Sequence, residues 1–94
     1  MVSDVTDNPA MSRFEMASGG AVALVEYQRE GDRIALTHTE VPEVLSGQGV
    51  GSKLVRGVLD RLRAEGSKIV PRCEFVAAYV ERHPEYRDLL ADPG

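Results

Sequence analysis

The sequence predicts an α/β (α+β) domain in which an antiparallel hairpin leads into a parallel βαβ crossover, closed by short C-terminal helices. Two patterns and the segment between them predict it. Residues 13–41 hold extended runs of alternating character, and residues 50–62 repeat apolar side chains at helical spacing. Between them lies Ser46-Gly47-Gln48-Gly49-Val50-Gly51-Ser52-Lys53, a glycine-rich passage from strand to helix.

Taken in order, Met1 to Ser12 reads as a mobile N-terminal tail carrying Asp4, Asp7 and Pro9, and Met11 offers a second possible start. One domain then occupies residues 13–94. Arg13 to Met16 forms a short strand; Ala21 to Tyr27, rich in β-branched and aromatic residues, forms the next; Arg29-Glu30-Gly31-Asp32 turns the chain back. Arg33 to Val41 is the third strand. Its alternation places Ile34, Leu36, His38 and Glu40 on one face and Ala35, Thr37, Thr39 and Val41 on the other, so that His38 lines up with core residues. Val50, Leu54, Val55, Val58, Leu59 and Leu62 give the following helix one apolar face, and Gly66 is placed to end it. Lys68 to Val70 is a strand broken by Pro71. Glu74 to Arg82 and Glu85 to Leu90 make two short helices, parted at His83-Pro84. The strand-helix-strand unit from residue 33 to residue 71 requires a crossover, which makes its two strands parallel.

Composition bounds the function. Ninety-four residues support one modest core, and no apolar run approaches the roughly 20 residues that cross a bilayer. A net charge of −4 argues against nucleic acid as a partner, and the basic residues Lys53, Arg56, Arg61 and Arg63, local to one helix, read mostly as its solvated face. The single cysteine leaves no internal disulfide, and the absence of a secretion signal points to the reducing cytoplasm. No His, Cys or carboxylate spacing matches a metal site. Nothing in the sequence fixes the oligomeric state, and a monomer or weak homodimer is expected.

The glycine passage is the main chemical signal. Glycine lets a backbone bend sharply and approach a ligand, while the first-turn amides of the helix behind it face incoming negative charge. The same glycines also suit a tight turn with no ligand. The order Ser52-Lys53 reverses the Lys-Ser/Thr of a nucleoside-triphosphate loop, and the glycine spacing differs from that of a dinucleotide fold.

Ser46-Gly47-Gln48-Gly49-Val50-Gly51 resembles the acetyl-CoA loop of the GNAT superfamily of N-acetyltransferases, which reads Gln/Arg-x-x-Gly-x-Gly/Ala. Ser46 stands where that family usually has Gln or Arg, and Gln48 lies two positions on. The resemblance extends to a branch of very short single-domain proteins through His38-Thr39-Glu40-Val41-Pro42, Val70-Pro71-Arg72-Cys73-Glu74-Phe75-Val76 and His83-Pro84-Glu85-Tyr86. It implies a minimal GNAT fold and transfer of an acetyl group from acetyl-CoA to an amine of a small molecule or protein. It also implies that two parallel strands splay apart and that the pantetheine arm pairs with the earlier one. By the resemblance the cofactor residues are Thr39, Glu40 and Val41 on that strand, and Gly47, Gln48, Gly49, Val50, Gly51, Ser52 and Lys53 in the loop and first turn. Lys53 and Arg56 could meet the phosphates.

Three residues are catalytic candidates. Cys73 precedes a helix, where amides and macrodipole favour an anionic sulfur, and by the resemblance it lies near the thioester as proton donor or acyl acceptor; a small packed thiol is the structural alternative. His38 can take a proton from an amine, or serve as a hydrogen-bonded core residue. Tyr79 stands in the helix where GNAT enzymes often carry a tyrosine that protonates the CoA sulfur. A different function from the same residues is a non-catalytic CoA or acyl-CoA binding module, or an acyl carrier using Cys73.

Overall fold

The computed structural model describes residues 5–45 and 47–91. Five strands, β1 (Val5–Asn8), β2 (Arg13–Ser18), β3 (Ala21–Glu30), β4 (Arg33–Glu40) and β5 (Lys68–Pro71), form one sheet in the order β1-β2-β3-β4-β5. The first four run antiparallel to their neighbours, and β5 joins β4 in parallel. Helix α1 (Val50–Glu65) makes the crossover; α2 (Glu74–Arg82) and a 3-10 turn at Pro84–Leu89 follow β5. The predicted hairpin, crossover and C-terminal helices are all present. The second of those helices is a 3-10 turn that begins at Pro84, where a proline's fixed φ suits the first turn.

The expected tail needs correction. Residues 5–8 are a strand and Pro9–Met11 a 3-10 turn, so the sheet starts at Val5 and not at Arg13. Four residues give too little alternation to read, and tertiary contacts hold them: Val5 is buried, and the Tyr27 hydroxyl donates to Asp7 Oδ1 at 2.7 Å. Met11 therefore lies within the fold. Residues 1–4 are outside the described residues.

Amphipathic spacing explains how the layers pack. Phe14, Val25, Tyr27, Ile34 and Leu36 on one sheet face meet Leu54, Val55, Val58, Leu59 and Leu62 of α1 and Val76 and Val80 of α2 in one continuous core. Helix α1 then stops where the sequence places Gly66, which adopts φ 75° and donates its amide to the carbonyls of Arg63 and Leu62. The C-terminal turn is fastened to this layer by side chains. The Tyr86 hydroxyl donates to Asp60 at 2.7 Å, and Arg63 reaches both Asp88 and the Glu85 carbonyl. Among the described residues no helix is long and apolar enough to cross a membrane.

Strand β4 departs from simple alternation, with consequences for the site. Leu36 pairs with Tyr27 but His38 pairs with Glu26, so Thr37 is an extra residue and the register shifts. Such a bulge reverses which side chains face the core beyond it. Thr39 and Val41 consequently join the face of Ile34 and Leu36, with Val41 packed on the core, while His38 and Glu40 turn to solvent. The placing of His38 among core residues is thereby corrected. Period two could not have shown it, because the shift is a pairing event between strands.

Candidate functional site

A gap flanks the end of β4 because β5 stops short of it. Their ladder ends at Leu36 opposite Pro71, yet β4 continues to Glu40, so its last residues have β3 on one side and, among the described residues, no strand partner on the other. Pro71 contributes by lacking an amide donor at the point of separation. Cys73 crosses the gap once more: its amide donates to the Leu36 carbonyl at 2.9 Å, and its thiol donates to Thr39 Oγ1 at 3.2 Å. The sulfur thus sits half-buried at the root of the opening, between the strand and the start of α2.

Beyond the gap lies an open groove of about 220 Å³ lined by Val41, Leu45, Gly47, Gly49, Val50 and Phe75 among others. Its polar wall is the N-terminus of α1. Gly49 is the N-cap residue, in the left-handed region at φ 72°, and among the described residues no side chain caps the helix. The first-turn amides are therefore left to solvent or to a ligand. Gly47 has φ 82°, and a Cβ at either glycine would meet no protein atom within 4 Å. Backbone conformation requires glycine at these two positions, and the space beside them is free. Gly51 is different. Its φ is unremarkable for a helix, but a Cβ there would come 2.7 Å from Phe75 Cζ and 3.3 Å from Val41 Cγ2. Close packing against Phe75 requires this glycine, which the loop motif by itself did not reveal.

The remaining predicted residues separate into groups. Val41, Gly47, Gly49, Val50, Gly51 and Ser52 line the groove. Gln48 folds back, donating its side-chain amide to the Val44 carbonyl, and so braces the loop. Lys53 is exposed and makes no ion pair among the described residues, whereas Arg56 lies 4.0 Å from Asp60 one turn along. Ser46 is outside the described residues. On the solvent side of β4, His38 Nε2 lies 4.0 Å from Glu40 Oε1, with both side chains more than half exposed.

Tyr79 is not brought to Cys73. Six residues along a helix turn a side chain about 240° away and move it about 9 Å down the axis. The tyrosine is buried instead in the core, stacked on the His83 ring at 4.0 Å and 6.0 Å from the Tyr86 ring. Burial pushes its phenol above the ordinary value, with Arg56, Asp60 and Glu85 as its electrostatic surroundings. Tyr86 is pushed up further, to about 12, by burial and then by its bond to Asp60. Both phenols stay protonated at neutral pH.

Uncapped amides beside positive-φ glycines fit an anion such as a pyrophosphate, and an unpaired strand edge fits an extended arm bearing amides. Among the described residues no three His, Cys, Asp or Glu side chains assemble as a metal site.

A parallel βαβ crossover whose second strand ends short of the first, with a glycine loop ahead of its helix, places the fold in the N-acetyltransferase class. The chain belongs to the GCN5-related N-acetyl-transferase family, whose sequence profile matches residues 13–89. It is 35% identical over 63 residues to the Protein NATD1 of Homo sapiens, covering 66% of this chain and 56% of that one. The Gallus gallus Protein NATD1 is likewise 35% identical over 63 residues, 57% of its length. These matches span little more than half the length of those relatives. An NMR solution structure of a GCN5-like protein from Staphylococcus aureus superimposes with a TM-score of 0.72 at 26% identity, covering 98% of this chain and 91% of that one.

Proposed function

We propose that the chain binds acetyl-CoA along the free edge of β4 and the N-terminus of α1, and transfers its acetyl group to an amine. The observation that carries this reading is the continuation of β4 beyond its last pairing with β5, next to a helix start that no side chain among the described residues caps. Backbone groups of Thr39, Glu40 and Val41 hold the arm, and the amides of Val50, Gly51 and Ser52 hold the pyrophosphate. Lys53, exposed and unpaired among the described residues, adds positive charge.

When bound, acetyl-CoA supplies an acetyl group activated as a thioester. The residues of the chain divide the proton traffic. His38, turned outward by the bulge and 4.0 Å from Glu40, takes the proton that the amine loses as its nitrogen bonds to the acetyl carbon. Cys73 gives its thiol proton to the departing sulfur as the carbon-sulfur bond breaks, and regains one from solvent. The burial of Tyr79 and its separation from Cys73 along α2 favour the cysteine for this role.

The half-buried position of the sulfur, 3.2 Å from Thr39, also suits an acyl carrier. One experiment distinguishes the readings. The protein is incubated with acetyl-CoA and either spermidine or a lysine peptide, and both amine and intact protein are weighed. Transfer predicts an acetylated amine and an unmodified protein, with His38→Gln slowing the reaction by about a hundredfold. Acetyl accumulating on the protein without reaching an amine supports the carrier. Bound acetyl-CoA with neither product overturns both.

A further inference from the structure

Phe75 is a large apolar side chain left 41% exposed on the first turn of α2. Its ring lies across the groove against Gly51 and lines the same space as Val41, Gly47 and Gly49. A ligand running from the edge of β4 to the start of α1 follows the line from Thr39 through Val41 to Gly51. The Phe75 ring, in contact distance of the position a Gly51 Cβ would take, and with Val41 Cγ2 at 3.3 Å from that same point, stands on this line. Among the described residues no other exposed large hydrophobic side chain lines the groove: Met11 ends the turn after β1, Val22 lies in β3, Val44 in the turn Glu43–Leu45, and Leu90 follows the C-terminal turn.

We propose that Phe75 is the positioning residue of the groove, a ring that must leave Gly51 before the acyl-CoA arm can pass and that then covers the arm. The inference rests on the acetyl-CoA reading above. Gly51 gives the ring a seat in the free protein; the glycine's missing Cβ makes the seat, and the ring's exposure makes departure cheap. In the bound protein the ring shields the arm from water, and an aromatic cover of this kind slows dissociation. Phe75 therefore acts on the rates in both directions, more on release than on capture.

The test measures CoA association and dissociation by surface plasmon resonance on wild type, Phe75→Ala and Phe75→Tyr. Phe75→Ala is expected to bind CoA up to about threefold faster and to release it about thirtyfold faster, a net loss of about tenfold in affinity. Phe75→Tyr restores near-wild-type rates because a ring remains. In NMR, the contact between the Phe75 ring and the Gly51 α-protons should be present in the free protein and lost at saturating CoA. An exposed side chain changes stability little, so equal melting temperatures show that the variants are folded. Rates within twofold of wild type in Phe75→Ala, or a ring contact that persists at saturation, overturn the role of Phe75 alone. A wild type that binds no CoA overturns the reading on which it rests.

Discussion

Gly49→Val is expected to stay folded and lose CoA. At φ 72° a residue bearing a Cβ pays about 1–2 kcal/mol of backbone strain, and a β-branched one sits at the upper end of that range. A Cβ at this position meets nothing within 4 Å beyond its chain neighbours, so the β-carbon adds no clash to the strain. A domain with the usual 5–15 kcal/mol or so survives this. The valine projects beside uncapped amides, in the groove that Gly49 lines, and keeps a phosphate from reaching them. CoA affinity should fall at least about tenfold by calorimetry. Gly66→Val is the matched control. Gly66 has φ 75° and equally free space, but it ends α1 at the opposite end from the groove. It should lower the melting temperature as much as Gly49→Val while leaving CoA affinity unchanged. Equal affinity in both variants would mean that the glycine passage is a turn and nothing more.

Cys73→Ala should separate binding from rate. Removing the sulfur deletes a weak hydrogen bond to Thr39 and leaves the backbone bond from residue 73 to Leu36 in place, so the gap keeps its shape. Affinity for acetyl-CoA is expected within about twofold of wild type. Turnover should fall by about 10²–10⁴, the range for a lost proton donor, because the group acts only as the sulfur departs. Cys73→Ser keeps a donor to Thr39 without the sulfur chemistry, and should resemble the alanine variant in rate. Wild-type turnover in Cys73→Ala would reduce the thiol to packing and direct attention to His38 and Glu40.

The parts of this molecule that were legible in the sequence are those set by local periodicity. Helix α1 announces itself by the spacing from Val50 to Leu62 and its end by Gly66; the hairpin is marked by Gly31, which adopts φ 68°; the parallel pairing follows from the crossover. The glycine loop is legible as a passage from strand to helix, and three of its glycines line the groove. What was not legible depends on contacts between distant segments. β1 is four residues long and exists through its pairing with β2 and the bond from Tyr27 to Asp7. The outward turn of His38 comes from a bulge opposite Glu26, and Thr39 reaches Cys73 for the same reason. Gly47, Gly49 and Gly51 look alike in the loop, but two are required by φ and one by the ring of Phe75. The burial of Tyr79 against the His83 ring is likewise a tertiary contact that its spacing from Cys73 does not show.

The central claim is that the free edge of β4 and the uncapped start of α1 form one acetyl-CoA site. Titrating acetyl-CoA into ¹⁵N-labelled protein tests it most directly. Saturable one-to-one binding is expected, with the largest shifts in the amides of Thr39 to Val41 and Gly49 to Ser52 and little change in β1 or at Gly66. No saturable shifts at millimolar acetyl-CoA, or saturable shifts confined to residues away from β4 and the glycine loop, would contradict it.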